Sequence, residues 1–255
     1  MILLGADIGN THSSIGLFED GVLTDTIRLS SALQRTEDEF WFYIKQFLQQ
    51  KNVKTTDIQD VVISSVVPDL NFVFQRLSEK YFHKEGFFIT YEKKLGIDVN
   101  IPLPQQVGAD RLCCAVAGYS QYRTNLIIID FGTATTFDII FKEGAYEGGI
   151  IASGLETTNW GLHNKAAKLP KVKLEFPERI VGKNTENAIQ SGLMYGEVAM
   201  IDGIIDRIIA EENRDFKIIV TGGLGSKIIP FLQHAVISKP SLLMEGIYEI
   251  YQKNQ

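Results

Sequence analysis

Two short stretches of this chain join an aspartate to a glycine and a run of hydroxyl residues: Asp7-Ile8-Gly9-Asn10-Thr11-His12-Ser13-Ser14 and Asp130-Phe131-Gly132-Thr133-Ala134-Thr135-Thr136. Glycine lets a backbone approach a ligand closely and gives access to positive φ. Asn10, Thr11, Ser13 and Ser14 add neutral donors to the N–H groups of the turn, a set that suits a polyphosphate. Asp7 does not suit a bare phosphate. Two unit charges ~4 Å apart interact by about 4 kcal/mol at an effective dielectric near 20, and here the sign is repulsive. A cation resolves the conflict, because Mg²⁺ is held by one or two carboxylates, waters and substrate phosphates. Asp7 and Asp130 are therefore candidate cation sites, direct or through water. The plain alternative is that both aspartates end strands and bond their own turns. Duplication of the pattern counts against it.

Three further constellations bear on chemistry. Gly108-Ala109-Asp110-Arg111 precedes a helix expected from Leu112 to Tyr119, where the helix dipole favours an anion. Asp110 is there either a cap or an acceptor for the proton of an attacking hydroxyl, with Arg111 holding a polar or carboxylate group of the same acceptor molecule. Gly222-Gly223-Leu224-Gly225 follows a strand and opens a helix, a natural anion or nucleotide turn. Gly182-Lys183-Asn184-Thr185 precedes a long helix, so Asn184 or Thr185 caps it and either can meet a substrate. His12, His83, His163 and His234 are scattered. They fit surface or structural roles, although His12 lies inside the first loop.

These residues need elements to hold them. Ile2 to Ala6, Ile15 to Phe18 and Val22 to Leu29 read as an antiparallel meander. Thr36-Glu37-Asp38-Glu39 has capping-box spacing and opens a helix to about Gln50, with Phe40, Tyr43, Ile44, Phe47 and Leu48 on one stripe. Val61 to Val67 reads as a buried strand, Asp69 to Phe82 as a helix and Gly86 to Thr90 as another strand. The second half opens as the first does. Leu126 to Asp130, Phe137 to Phe141 and Tyr146 to Ser153 are strands, followed by a helix from Thr185 to Asn213 and a strand from Lys217 to Val220. A helix after Ser226 and a last one from Met244 to Lys253 complete the chain. The repeat predicts two related α/β domains, residues 1–118 and 119–255, that pack closely.

The 255 residues carry a net charge of −6, 45% hydrophobic and 22% charged residues, which excludes a disordered or fibrous chain and argues against a general nucleic-acid binder. The two cysteines, Cys113 and Cys114, are adjacent and give no disulfide framework. No apolar run reaches the ~18–20 residues of a membrane span. The start, Met1-Ile2-Leu3-Leu4, lacks a basic region before its short apolar run. The expectation is a cytoplasmic protein without membrane or nucleic-acid partners. No Gly-x-x-x-x-Gly-Lys-Ser/Thr, Gly-x-Gly-x-x-Gly or zinc spacing occurs.

Taken in order, Asp7-Ile8-Gly9-Asn10-Thr11, Ser64-Ser65-Val66-Val67-Pro68, Gly108-Ala109-Asp110-Arg111, Asp130-Phe131-Gly132-Thr133-Ala134-Thr135-Thr136-Phe137-Asp138, Gly182-Lys183-Asn184-Thr185, Gln190-Ser191-Gly192 and Thr221-Gly222-Gly223 resemble the motif set of type III pantothenate kinases over nearly the whole chain. The resemblance implies an α/β fold of the acetate and sugar kinase/Hsc70/actin superfamily, with two ribonuclease-H-like domains flanking a nucleotide cleft. It implies ATP-dependent phosphorylation of pantothenate to 4′-phosphopantothenate, the first step of coenzyme A biosynthesis, with Mg²⁺ and a monovalent cation, K⁺ or NH₄⁺. By resemblance, Asp7, Ile8, Gly9, Asn10, Thr11, His12, Ser13, Ser14 and Thr133 bind ATP, and Asp7 meets Mg²⁺ through water. Asp110 is the proton acceptor, and Gly108, Ala109, Asp110, Arg111 and Thr185 bind pantothenate. Asp130 holds the monovalent cation, and the protein is a homodimer with its substrate site near the subunit interface. Many members carry a tyrosine seven residues before the first glycine of the Gly-Ala-Asp-Arg motif. Here that position is Ile101, so an aromatic hydroxyl contact is absent or supplied elsewhere. The alternatives are a kinase of the same fold for another small alcohol, and a nucleotide-dependent regulator that has lost catalysis.

Overall fold

The computed structural model describes residues 1–255. The chain opens with β1 (Ile2–Ile8), β2 (His12–Glu19) and β3 (Val22–Ser30), the expected antiparallel meander. Asp7, Ile8 and His12 belong to strands, so the first turn is shorter than the sequence implied and comprises Gly9 to Thr11. The capping box at Thr36 forms as expected and starts α1 (Glu37–Gln50). Phe40, Ile44, Phe47 and Leu48 are buried, whereas Tyr43 is exposed beneath the guanidinium of Arg35, 5.3 Å from its ring centre. The strand β4 (Ile58–Ser65) lies parallel to β1. Pro68 then occupies the first turn of α2 (Pro68–Leu77), where its missing N–H costs nothing. A short strand, β5 (Phe87–Phe88), pairs with β4 and gives the sheet order β3-β2-β1-β4-β5. After β6 (Asp98–Val99) comes α3 (Ala109–Tyr122).

The same plan recurs. β7 (Leu126–Phe131), β8 (Ala134–Ile140) and β9 (Ala145–Ser153) form a second meander. A helix that sequence reasoning missed, α4 (Leu155–Lys165), precedes α5 (Thr185–Glu212). β10 (Lys217–Gly222) pairs parallel to β7, α6 (Gly225–Ile228) is a single turn, and β11 (Val236–Ser238) pairs parallel to β10. The strands of this half run β9-β8-β7-β10-β11, the order of the first sheet.

The compact units are Met1–Gln121 with Ser241–Gln255, and Tyr122–Pro240. The expected division after residue 118 therefore differs at the C-terminus, where α7 (Leu242–Lys253) packs on β1 and β4 of the first unit. Alternation along β1 explains this. Leu4, Ala6 and Ile8 face the core that holds α1 and α2, while Gly5 on the other side leaves room for Phe18 and Ile247. Gly246 lies against the Cys113 backbone, so α7 and α3 meet without an intervening side chain. Within the second unit, Ile127, Ile129, Phe137, Met194, Ile201, Ile205 and Val220 form the core between the sheet and α5. No helix is long and apolar enough to cross a membrane.

Candidate functional site

In the first unit, Asp7 is the last residue but one of the central strand β1, with a hydroxyl residue on each side: Ser14 across the antiparallel ladder and Ser64 across the parallel one. The buried Ser64 donates to Asp7 Oδ1 at 3.3 Å. The turn is closed by Gly9 N–H donating to the His12 carbonyl at 3.0 Å, and Ser31 N–H donates to the Thr11 carbonyl at 3.0 Å. Gly9 does not use positive φ. Its lack of a side chain matters for space, since a Cβ would lie 3.1 Å from the His12 oxygen.

Strand alternation divides the predicted phosphate residues. Asn10 and Thr11 are exposed at the tip. Ile8 is buried in the core, so only its backbone is available to a ligand. Ser13 is also buried, with its hydroxyl 2.8 Å from that of Ser31. His12 Nδ1 accepts from Arg28 at 2.8 Å.

Asp110 stands in the first turn of α3, half-buried, with Arg111 N–H donating to its Oδ1 at 2.7 Å. Burial pushes its carboxyl above the usual aspartate range, against the lowering effects of that N–H and of the Arg111 charge. Gly108 is the approach to this turn. A Cβ there would press on Asp110 Oδ1 and come 3.1 Å from Val66 Cγ1. The buried Cys113 thiol lies one turn into α3 and feels Ser64, Asp7 and Asp110. Burial first, then those two carboxylates, hold this thiol protonated. One unit thus gathers Asp7 and Asp110 around the end of β4, where Ser64 bonds Asp7 and Val66 lies against Gly108.

In the second unit, Asp130 is the last residue but one of β7, the corresponding place, with Thr136 across the antiparallel ladder and Thr221 across the parallel one. Gly222 has φ +86°, and a side chain there would run into Asp130 Oδ1 and the Phe131 backbone. Gly223 N–H donates to the Phe131 carbonyl at 3.2 Å. The glycine turn therefore wraps the Asp130 strand end. The helix it opens, Gly225–Ile228, is too short for the dipole effect expected of it.

The missed helix α4 clasps the turn after Asp130. Gly154 N–H and the Thr157 hydroxyl donate to the Thr133 carbonyl at 3.2 and 2.6 Å. A Cβ on Gly154 would come 2.5 Å from the Gly132 carbonyl oxygen. The available signal was Gly154 placed just before a helix start. Thr135 donates to the buried Glu197 of α5 at 2.7 Å, and burial holds that carboxyl above the usual glutamate range.

Asn184 caps α5, accepting from Asn187 N–H at 2.8 Å, which leaves Thr185 exposed in its first turn. Gln190 and Ser191 donate to the carbonyls of Lys173 and Ile180, so their motif anchors the segment before the helix.

No group of three or more His, Cys, Asp or Glu side chains is arranged to hold a metal. A divalent ion carried on nucleotide phosphates needs only one or two carboxylates and waters, and the isolated strand-end aspartates fit that demand.

A model of the type III pantothenate kinase family matches residues 3–207. Among solved structures, the chain is similar to a Baf family transcriptional activator from Campylobacter jejuni, at 18% identity and TM-score 0.55, covering 99% of this chain and 98% of that one. It is similar to the activator of 2-hydroxyisocaproyl-CoA dehydratase from Clostridium difficile, a structure with bound ADPNP, at 11% identity and TM-score 0.57, covering 99% and 96%. It also resembles an inorganic polyphosphate/ATP-glucomannokinase from Arthrobacter, at 13% identity and TM-score 0.54, covering 99% of both chains. These likenesses establish the fold: mixed α/β, with two sheets, of the sugar-kinase and actin-like class.

Proposed function

The chain belongs to the type III pantothenate kinase family and is a kinase, and from this we propose that it transfers the γ-phosphoryl group of ATP to the 4′-hydroxyl of pantothenate, the first step of coenzyme A biosynthesis. Asp110 takes the hydroxyl proton as the pantothenate oxygen bonds to the γ-phosphorus. The bond from that phosphorus to the β,γ-bridging oxygen breaks, and ADP leaves. The observation that carries this reading is that the end of β4 meets both residues, Ser64 bonding Asp7 and Val66 lying against Gly108 at the approach to Asp110. A carboxyl raised by burial is a better base near neutral pH than an ordinary aspartate.

The backbone N–H groups of Gly9 to Thr11 and the exposed Asn10 and Thr11 side chains hold the phosphates, with Ile8, His12 and Ser13 contributing through the backbone and Ser14 beside Asp7. Asp7 orients the water shell of Mg²⁺, Asp130 holds K⁺ or NH₄⁺, and Thr133 contacts ATP. Those cations supply neutralisation of phosphate charge. Gly108 and Ala109 shape the acceptor loop, Arg111 pairs with the pantothenate carboxylate, and Thr185 contacts the same substrate. The reading carries a homodimer, which light scattering on the eluting protein checks.

The test is transfer of labelled γ-phosphate from ATP to pantothenate with and without K⁺ or NH₄⁺. Labelled phosphopantothenate that depends on the monovalent ion is expected. ATP bound but never transferred to pantothenate would reject the substrate assignment.

A further inference from the structure

The motif Ser64-Ser65-Val66-Val67-Pro68 has no role in the chemistry above, yet it joins the two halves of the first unit's site. Ser64 is the parallel-ladder partner of Asp7 and donates to its Oδ1 at 3.3 Å. Val66 N–H donates to the Ile8 carbonyl at 3.0 Å, continuing the ladder past the strand end. Val67 N–H donates to Ser65 Oγ at 3.2 Å, bending the chain into α2. Val66 lies against Gly108, the approach to Asp110. Ser64 is fully buried.

We propose that Ser64 is a positioning residue: its buried hydroxyl, on the strand beside Asp7, aims the Asp7 carboxylate toward the Mg²⁺ of bound MgATP. The inference rests on the proposed function for the identity of that ligand. A buried hydroxyl has one proton to give. That of Ser64 goes to Asp7 Oδ1, 3.3 Å away. Asp7 thereby loses freedom to rotate away from the turn. Partners of this kind, one step removed from the ion, fix the orientation of the group that meets it.

The test measures ATP binding by titration calorimetry with no acceptor present, in Mg²⁺ and in EDTA, for wild type, Ser64→Ala, Asp7→Ala and the double variant. Ser64→Ala is expected to weaken MgATP binding by about 10-fold or more. Binding in EDTA should be unchanged, because a purely structural loss would lower both. The double variant should bind no more weakly than Asp7→Ala alone, since Ser64 acts through Asp7. Wild-type affinity in folded Ser64→Ala, equal losses with and without Mg²⁺, or multiplying effects in the double variant would each overturn the proposal. If Ser64→Ala does not melt cooperatively, Ser64→Cys replaces it. That side chain keeps a donor but a weaker one, so an intermediate loss is expected and wild-type affinity would refute the role. A wild-type protein that binds MgATP but does not phosphorylate pantothenate rejects the acceptor assignment alone and leaves this cycle readable. A wild-type protein with no affinity for MgATP rejects both.

Discussion

Asp110 shows how two local effects compete at one carboxyl. The α3 N-terminus and Arg111 favour its ionised form, and burial opposes them and prevails. As the proposed base it must be ionised, so activity should fall on acidification with a midpoint above the ordinary value of 3.8. A kcat/KM profile that stays flat down to that value would contradict the assignment. Asp110→Asn should lower kcat by about 10²–10⁴-fold and leave MgATP binding intact. The same shift has a sign for stability. Below the unfolded pKa both states hold the proton and stability is full; as pH rises through the raised native pKa, ionisation of the buried group lowers it. Asp110→Asn should therefore raise the Tm at pH 7, and a lowered Tm would mean that the charge is compensated. Gly222 makes a second point at this scale. Gly222→Ala combines positive φ with a Cβ aimed at Asp130, so it should destabilise by more than about 1 kcal/mol, read as a shift in the urea midpoint.

At the scale of elements, α1 begins where the sequence placed it because its start signal is self-contained. Thr36 and Glu39 satisfy each other's backbone groups within one turn. Thr36→Ala should cost about 1 kcal/mol and leave the proposed transfer rate unchanged, since the cap lies outside the site. α4 had no such signal: its N-cap is Gly154, which makes no side-chain cap, and its sequence lacks a strong apolar stripe. The helix is held by what it touches, namely the turn after Asp130 at one end and Asn159 bonded to Val172 near its middle. The residues between α4 and α5 lack regular structure and are tied down by Asn159, Gln190, Ser191 and Lys227. Ser191→Ala should free this segment, detected as faster limited proteolysis within residues 166–184. An unchanged cleavage pattern would show that the remaining ties suffice.

At the scale of the molecule, two sheets share a five-strand order, and in each the strand at its middle carries an aspartate one residue from its end, between hydroxyl residues on the antiparallel and parallel neighbours. The chain leaves the first unit at Gln121 and returns to it at Ser241. Its last helix buries Leu242, Ile247, Ile250 and Tyr251, and each such side chain contributes about 1.5–3 kcal/mol. That total is comparable with the whole margin of a folded domain, about 5–15 kcal/mol. Gly246→Val should block the docking of α7 on α3 and abolish cooperative unfolding, followed by circular dichroism. Cooperative melting near the wild-type Tm would show that the helix is dispensable to the first unit.

What the sequence determined by itself was local: the two Asp-x-Gly turns, the capping box of α1, the start of α5 and the strands of both meanders, since each is written within a few neighbouring residues. It also carried the family, because seven motifs in order identify a chain where one does not. What tertiary structure alone decided was every choice between distant partners. Nothing near Ser64 announces that it will bond Asp7, nothing near Thr133 announces the grip of α4, and the last helix reads the same whichever sheet it covers. Such outcomes depend on which buried surfaces fit together, and chain order does not encode that fit.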